Sequence, residues 1–171
     1  MTERPTTLVR DSLDQVAAGD WDALAGDQPF VRHAFLRALE VSGCATARTG
    51  WRARHLTLWQ DDTLVGAVPL YEKSHSRGEY VFDWAWAEAY SRHGERYYPK
   101  LVSSIPFSPI PGARLMARDD DSRRALIDAL MAYSRQSQVS SLHMLFPCET
   151  DTRALAAAGL QIRHAVQFHW C

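Results

Sequence analysis

Between Glu79 and Gly112 the chain crowds aromatic rings, ionisable groups and prolines together more densely than anywhere else, and this density limits what the segment can become. Trp84, Trp86, Tyr90, Tyr97 and Tyr98 lie within a few residues of Asp83, Glu88, Arg92, His93, Arg96 and Lys100. A plain apolar core excludes such a mixture, because each charge taken out of water must find a partner or shift its pKa. Two arrangements meet the constraint. One is a pocket whose rings and charges face a ligand; the other is an amphipathic helix followed by a half-buried strand, with the rings inside and the charges solvated. Downstream, Pro106, Pro109 and Pro111 force an extended, non-helical path, and Pro111-Gly112 has the composition of a type II turn.

With 171 residues, 46% of them hydrophobic, the chain has room for one well-buried domain, 1–171, and not for two ordinary ones. A net charge of -1 argues against non-specific nucleic-acid binding, which depends on a strongly basic face. Met1 to Asp20 is polar throughout and has no signal-peptide pattern, and no apolar segment reaches the length of a bilayer. Cys44, Cys148 and Cys171 are odd in number, widely separated and in no metal-ligand spacing, so no metal site is expected and a reduced, cytoplasmic compartment is.

In chain order, Leu8 and Val9 begin a first strand. Asp27 as a cap, Pro29 in the first turn, and Val31, Ala34, Phe35, Ala38 and Leu39 on one face predict a core-facing helix stopped by Gly43. Alternation over 55–59 and 64–71, with a polar turn between, predicts a hairpin whose second strand reaches an edge, a bulge or its limit at Pro69. Residues 80–83 read as a strand, with Asp83 capping a helix from Trp84 to His93 that Gly94 ends, and Tyr97 to Phe107 returns to strand character. Ala113 to Ala117 is a short strand, and Asp119 to Ser122 opens a helix with Leu126, Ala129, Leu130 and Tyr133 at helical spacing. Ser141 to Phe146 reads as a strand buried on both faces, and a short helix capped at Thr150 or Asp151 ends at Gly159, with Leu160 returning to touch Leu155. The alternation over 162–170 predicts a last strand.

No phosphate-binding glycine loop, H-E-x-x-H, G-x-S-x-G or paired Cys-x-x-Cys occurs, and no catalytic residue is assigned. Asp83 or Glu88 would serve as a general base if buried beside the rings, and equally as a helix cap and a surface ion pair. The candidate substrate-binding set is Trp84, Tyr90, His93, Tyr97, Tyr98 and Lys100 lining a cleft, with Lys73, His75 and Arg77 at its mouth to hold an anionic part of the ligand. The plain alternative for Lys73 to Gly78 is a solvated polar turn.

The element order is that of an acyltransferase-like mixed α/β fold, and residues 69–115, PLYEKSHSRGEYVFDWAWAEAYSRHGERYYPKLVSSIPFSPIPGARL, closely resemble the hallmark segment of FemAB-like proteins of the GNAT superfamily. That resemblance implies a GNAT-like, mostly antiparallel central sheet with helices on both faces. It also implies a chain that is the N-terminal half of a tandem protein, partnered by a second GNAT-like half beyond Cys171. The activity implied is transfer of an acyl or aminoacyl group to an amine of a small-molecule or peptide substrate by the complete protein, with acetyl-CoA or aminoacyl-tRNA as donor. A CoA-binding enzyme would carry Gln/Arg-x-x-Gly-x-Gly/Ala where this chain has Arg118-Asp119-Asp120-Asp121, whose carboxylates repel a pyrophosphate, so no cofactor is expected in this half. The other reading is a non-catalytic recognition or scaffold half. Self-association as a homo-oligomer stays open.

Overall fold

The computed structural model describes residues 5–81, 83–164 and 166. In chain order these form β1 (Thr6–Arg10), α1 (Ala18–Ala25), α2 (His33–Val41), β2 (Trp51–Ala53), β3 (His55–Gln60), β4 (Thr63–Val68), β5 (Leu70–Lys73), α3 (Trp84–Arg92), β6 (Lys100–Ser103), β7 (Met116–Ala117), α4 (Asp120–Gln136), β8 (Leu142–Met144) and α5 (Glu149–Ala157). The fold is mixed α/β, as expected.

Its strands form two four-stranded sheets among the described residues. The first has the order β1-β3-β4-β7 and is antiparallel throughout; the second has the order β2-β5-β6-β8, with only β6 and β8 parallel. The period-two stretch 55–71 joins them. β3 and β4 make the expected hairpin, turning through Asp61 in the left-handed conformation (φ 52°) that a short polar side chain tolerates. Pro69 brings no N–H to a ladder, and there the chain leaves the first sheet and continues in the second.

Helices cover both faces of the first sheet, because its strands carry apolar side chains on both. Leu56, Leu58, Val65 and Val68 pack with Leu126, Ile127 and Leu130 of α4 and Leu155 of α5. The pairing of β4 with β3 passes over Val65, so that Val65 and Gly66 both lie on this side; a Cβ at Gly66 would come within 3.3 Å of Leu58 and Leu126. On the other face Leu64 and Ala67 meet Trp21 and Ala25 of α1 and Leu36 of α2. α4 starts where expected: the Asp119 side chain accepts from Ser122 N–H at 2.7 Å. α5 follows Cys148 and not a cap at Thr150 or Asp151. It ends as expected at Gly159 (φ 86°), with Leu160 N–H on Leu155 O at 3.1 Å and Gly159 N–H on Ala156 O at 3.0 Å.

Other expectations are corrected. The helix placed after Asp27 is a 3₁₀ turn at Pro29–Val31 followed by α2; of the expected face Val31 is buried and Phe35 and Leu39 pack against the core, but the fully buried side chain of α2 is Leu36, and Ala34 and Ala38 are exposed. α1 and β2 were not foreseen; Trp21 of α1 is fully buried and donates to Val31 O at 2.8 Å. Tyr80, Val81 and Asp83 are in no strand, and Phe82 lies outside the described residues. The turn expected at Pro111-Gly112 occurs at Ile105–Ser108, with Ser108 N–H on Ile105 O at 3.2 Å and Phe107 at φ 59°. The strand expected over 98–107 is regular only over Lys100–Ser103, and β8 is a half-buried edge, not a strand buried on both faces. Residues 162–164 and 166 are not in a strand, and the rest of 162–170 lies outside the described residues.

The corrected face of α2 sets a test. Leu36→Ala should destabilise the protein by about 2–5 kcal/mol, whereas Ala38→Ser should cost about 0.5 kcal/mol or less, read from urea unfolding midpoints at equal m-values.

Candidate functional site

The second sheet has one apolar and one polar face. Leu70 and Leu101, with Leu142 and Met144 behind them, join the core under α4 and α5. Alternation then turns Trp51, Tyr71, Lys73, Lys100 and Val102 to the opposite face, and the register sets Lys73 directly across from Lys100. Two ammonium groups at neighbouring strand positions repel each other. The excursion between β5 and β6, residues 74–99, folds back over this face and supplies the countercharges.

Lys100 is the hub. Its Nζ donates to Glu79 Oε2 at 2.8 Å, to Asp83 Oδ2 at 2.5 Å and to Ser76 Oγ at 2.8 Å, all inside the protein. Tyr97 OH donates to the same Asp83 oxygen at 2.7 Å, and the Tyr98 and Ser76 hydroxyls are 2.8 Å apart. Lys73 Nζ sits 3.5 Å over the Trp51 ring, donates to Arg77 O at 3.2 Å and lies 3.9 Å from Glu79 Oε1. Glu79 Oε1, Asp83 Oδ1 and Trp51 Nε1 are buried without a hydrogen-bond partner among the described residues. Buried oxygens of charged groups without a donor are costly, and their concentration here makes this face the candidate site.

These surroundings separate the titrations. Burial, opposed by Glu79 and reinforced by the like charge of Lys100, pushes Lys73 down to about 7. Burial also holds the Glu79 carboxyl above its ordinary range despite Lys100. For Asp83 burial is outweighed by hydrogen bonds from Lys100, Ser76 and Tyr97, and its carboxyl is held low. One carboxylate is thus kept ionised while its neighbour takes a proton readily, the division of labour that acid–base chemistry uses. Beside them His143, whose Nε2 is 2.8 Å from Ser141 Oγ, is pushed to about 4 by burial and the charge of Lys100.

Of the residues singled out from sequence, Lys73, Tyr97, Tyr98 and Lys100 come together here. Tyr90 reaches the group through an edge contact with Tyr97, ring centroids 5.2 Å apart. Lys73 is not at a mouth: its side chain is 0% exposed. Arg77 is exposed and gives only its carbonyl, and His75 packs against Gly50, where a Cβ would stand 2.4 Å from the ring. Trp84 on α3 and His93 just after it are exposed and do not line the cluster. α3 buries none of its residues, and the Glu88–Arg92 pair on it is a surface contact at 2.7 Å. Asp83 precedes the helix but its side chain does not cap it; its Oδ2 takes bonds from Lys100 and Tyr97 instead. Ser76, Glu79 and Trp51 were missed. The signal available for Glu79 was its position between two lysines that alternation would place on one sheet face.

Arg114, 0% exposed, serves a structural purpose: it donates to the carbonyls of Leu145, Ala113 and Ile110, while its own N–H and that of Leu115 bond Asp151. Among the described residues no group of His, Cys, Asp and Glu is arranged to hold a metal ion, and no helix is long and apolar enough to cross a membrane.

A family model described as FemAB-like, peptidoglycan biosynthesis/recognition, matches residues 12–171, which include the whole of this site. No curated protein and no solved structure matches the chain.

Two outcomes follow from the geometry. Lys100→Met leaves two buried carboxylates without their cation and should cost about 3–5 kcal/mol, while Arg77→Ala, which keeps the carbonyl that Lys73 uses, should change stability by less than about 0.5 kcal/mol. For His143 the folded pKa lies below the unfolded one, so its contribution is present above pH 6.5 and is lost as the pH falls towards 4. Urea midpoints of the wild type should therefore fall more steeply across that window than those of His143→Phe.

Proposed function

The chain belongs to the FemAB-like family, and from that premise we propose that the polar face of the second sheet receives an amine of a peptidoglycan-related precursor for acylation by an aminoacyl ester. The observation that carries this reading is the pair of carboxylate oxygens without a hydrogen-bond donor among the described residues, Glu79 Oε1 and Asp83 Oδ1, set among the rings of Tyr97, Tyr98 and Trp51, with Lys73 Nζ 3.9 Å from the first. Carboxylate oxygens beside aromatic faces are a receptor for an ammonium group.

An ammonium cannot attack a carbonyl until it loses a proton. Glu79, held above the ordinary carboxyl range, takes that proton, while Asp83 stays ionised and keeps Lys100 in place. The freed amine attacks the ester carbonyl, the carbon–nitrogen bond forms, the ester carbon–oxygen bond breaks, and the nitrogen's second proton passes to the leaving alkoxide, which departs as the alcohol. Closure of residues 74–99 over the group excludes water, which would otherwise compete for the ester. Entry requires this cap to lift, and α3, with no residue buried, resists that little. A donor other than CoA fits the start of α4, where Asp119, held to about 2 by its hydrogen bonds to Ser122 and Arg118, already occupies the helix N-terminus that a pyrophosphate would need. As in the tandem arrangement of such proteins, the second GNAT-like half would supply the donor side.

A second reading, recognition of the precursor without transfer, is favoured by one observation: Lys73, Glu79 and Lys100 are all at most 2% exposed, as in a cluster that only holds the cap.

The complete gene product, given an aminoacyl-tRNA and an amine-bearing precursor, should form an amide, and Glu79→Gln, with folding checked by circular dichroism, should slow it by about 100-fold or more. Saturable precursor binding with no amide formed would establish the recognition reading. Equal turnover by wild type and Glu79→Gln would remove Glu79 from the chemistry.

A further inference from the structure

A second polar centre lies away from the Lys100 cluster, where the end of β1 meets the edge strand β2. A groove of about 450 Å³ opens there, with Glu40 at its floor and Asp11, Arg37 and Arg54 around it. That volume is of the size small ligands occupy. The Glu40 side chain is 10% exposed and is fixed from behind: Ser12 Oγ–H donates to it at 2.8 Å, Leu13 N–H at 3.2 Å and His55 Nε2 at 3.1 Å. Leu70 N–H donates to His55 Nδ1 at 3.3 Å, which leaves the ring proton on Nε2 and aims it at Glu40. Arg37 Nη1 also lies 3.7 Å from Glu40 Oε2, so an ammonium reaches this carboxylate by displacing that looser contact. Burial works against its charge, but the bonds from His55 and Ser12 prevail and hold the carboxyl below its ordinary range.

The arginines opposite are held differently. Arg37 pairs with Asp14 and Arg54 with Asp11, and these two aspartates are 63% and 67% exposed. Arg54 holds its exposed partner through one hydrogen bond, a pair of the kind that contributes little and exchanges readily, whereas Arg37 holds Asp14 through two, from Nε and Nη2. The Arg37 and Arg54 side chains are 28% and 16% exposed, and Arg54 is further steadied by Glu72 at 3.7 Å. Arg54 can therefore turn to an incoming carboxylate, which releases Asp11 to join Glu40 in holding a cation, and Arg37 can offer Nη1, the nitrogen not bonded to Asp14. The wall between is made of small side chains, Ala45, Ala47 and Ala53.

We propose that this groove binds a small zwitterion, an α-amino acid or a dipeptide with short side chains, its carboxylate on Arg37 and Arg54 and its ammonium on Glu40 and Asp11. The site is separate from the amine-acylation reading and does not depend on it.

The test is calorimetric titration of the protein with dialanine, with alanine, and with dialanine blocked at either end by N-acetylation or C-amidation. Saturable binding of alanine or dialanine, whichever is tighter, is expected, with at least tenfold weaker binding of the blocked forms of dialanine if the dipeptide is the ligand. Arg54→Gln should weaken binding about tenfold, the effect of losing one charge-assisted bond, while Arg48→Gln, outside the groove, should leave it unchanged. Because Glu40→Gln disturbs the buried bonds to Ser12 and His55, Arg37→Gln serves as the second variant and should also weaken binding. No saturable heat from either zwitterion, or equal affinity in Arg54→Gln and the wild type, overturns the proposal.

Discussion

One ammonium group organises the polar face of the second sheet and the segment folded over it. Lys100 Nζ is bonded at once to Ser76, Glu79 and Asp83, three residues of the excursion that leaves β5 and returns at β6. Apolar burial holds that excursion down mainly at Tyr97, since α3 within it has no fully buried residue. Desolvating a lysine and two carboxylates costs several kcal/mol per ion, which their mutual attraction offsets only when the geometry is good. Such a cluster therefore fixes orientation more than it adds stability. It keeps the cap in one place, and it leaves the cap easier to lift than a hydrophobic lid would be.

The division into two sheets explains why the polar group sits where it does. The first sheet is apolar on both faces and is sandwiched between α1 and α2 on one side and α4 on the other. It has no face to spare. Pro69 shifts the chain into the second sheet, where only one face is committed to the core, so the other can carry Lys73, Lys100 and Tyr71. A file of rings runs along that face: His55 to Tyr71 at 5.1 Å, Tyr71 to Trp51 at 5.3 Å, then Lys73 over Trp51 at 3.5 Å. This packing fixes the positions of the Lys73–Glu79 pair and of the His55–Glu40 pair relative to one another, the first closed under residues 74–99 and the second at the groove beside Asp11 and Arg54.

Features that depend on local periodicity or on single residues with special backbones were readable in advance. The hairpin 55–71, the interruption at Pro69, the Asp119 cap and the Gly159 ending all belong to this class, because each needs only neighbours in sequence to be satisfied. What could not be read depends on partners far along the chain. α1 has weak amphipathic patterning, and its place is decided by Trp21 meeting Val31 and His55. β2 is three residues long and exists because β5 pairs with it. The dense run from Glu79 to Gly112 was correctly singled out as incompatible with a plain core, yet which of its charges were inside was not decidable. Asp83 reads as a cap, and Lys73 as a solvated turn residue, until the register of β5 against β6 places the two lysines face to face. Trp84 shows the converse: a large ring that sequence reasoning turns inward and the fold leaves 57% exposed.

The claim that the Lys100 cluster, and not apolar packing, holds the cap is tested most directly by native-state hydrogen exchange on wild type and Lys100→Met. Amides over 79–92 should lose protection together in the variant, and by more than the drop in global stability that β3, β4 and α4 share, because the cap alone depends directly on that cation. Unchanged protection over 79–92, or an equal loss across the whole chain, would contradict it.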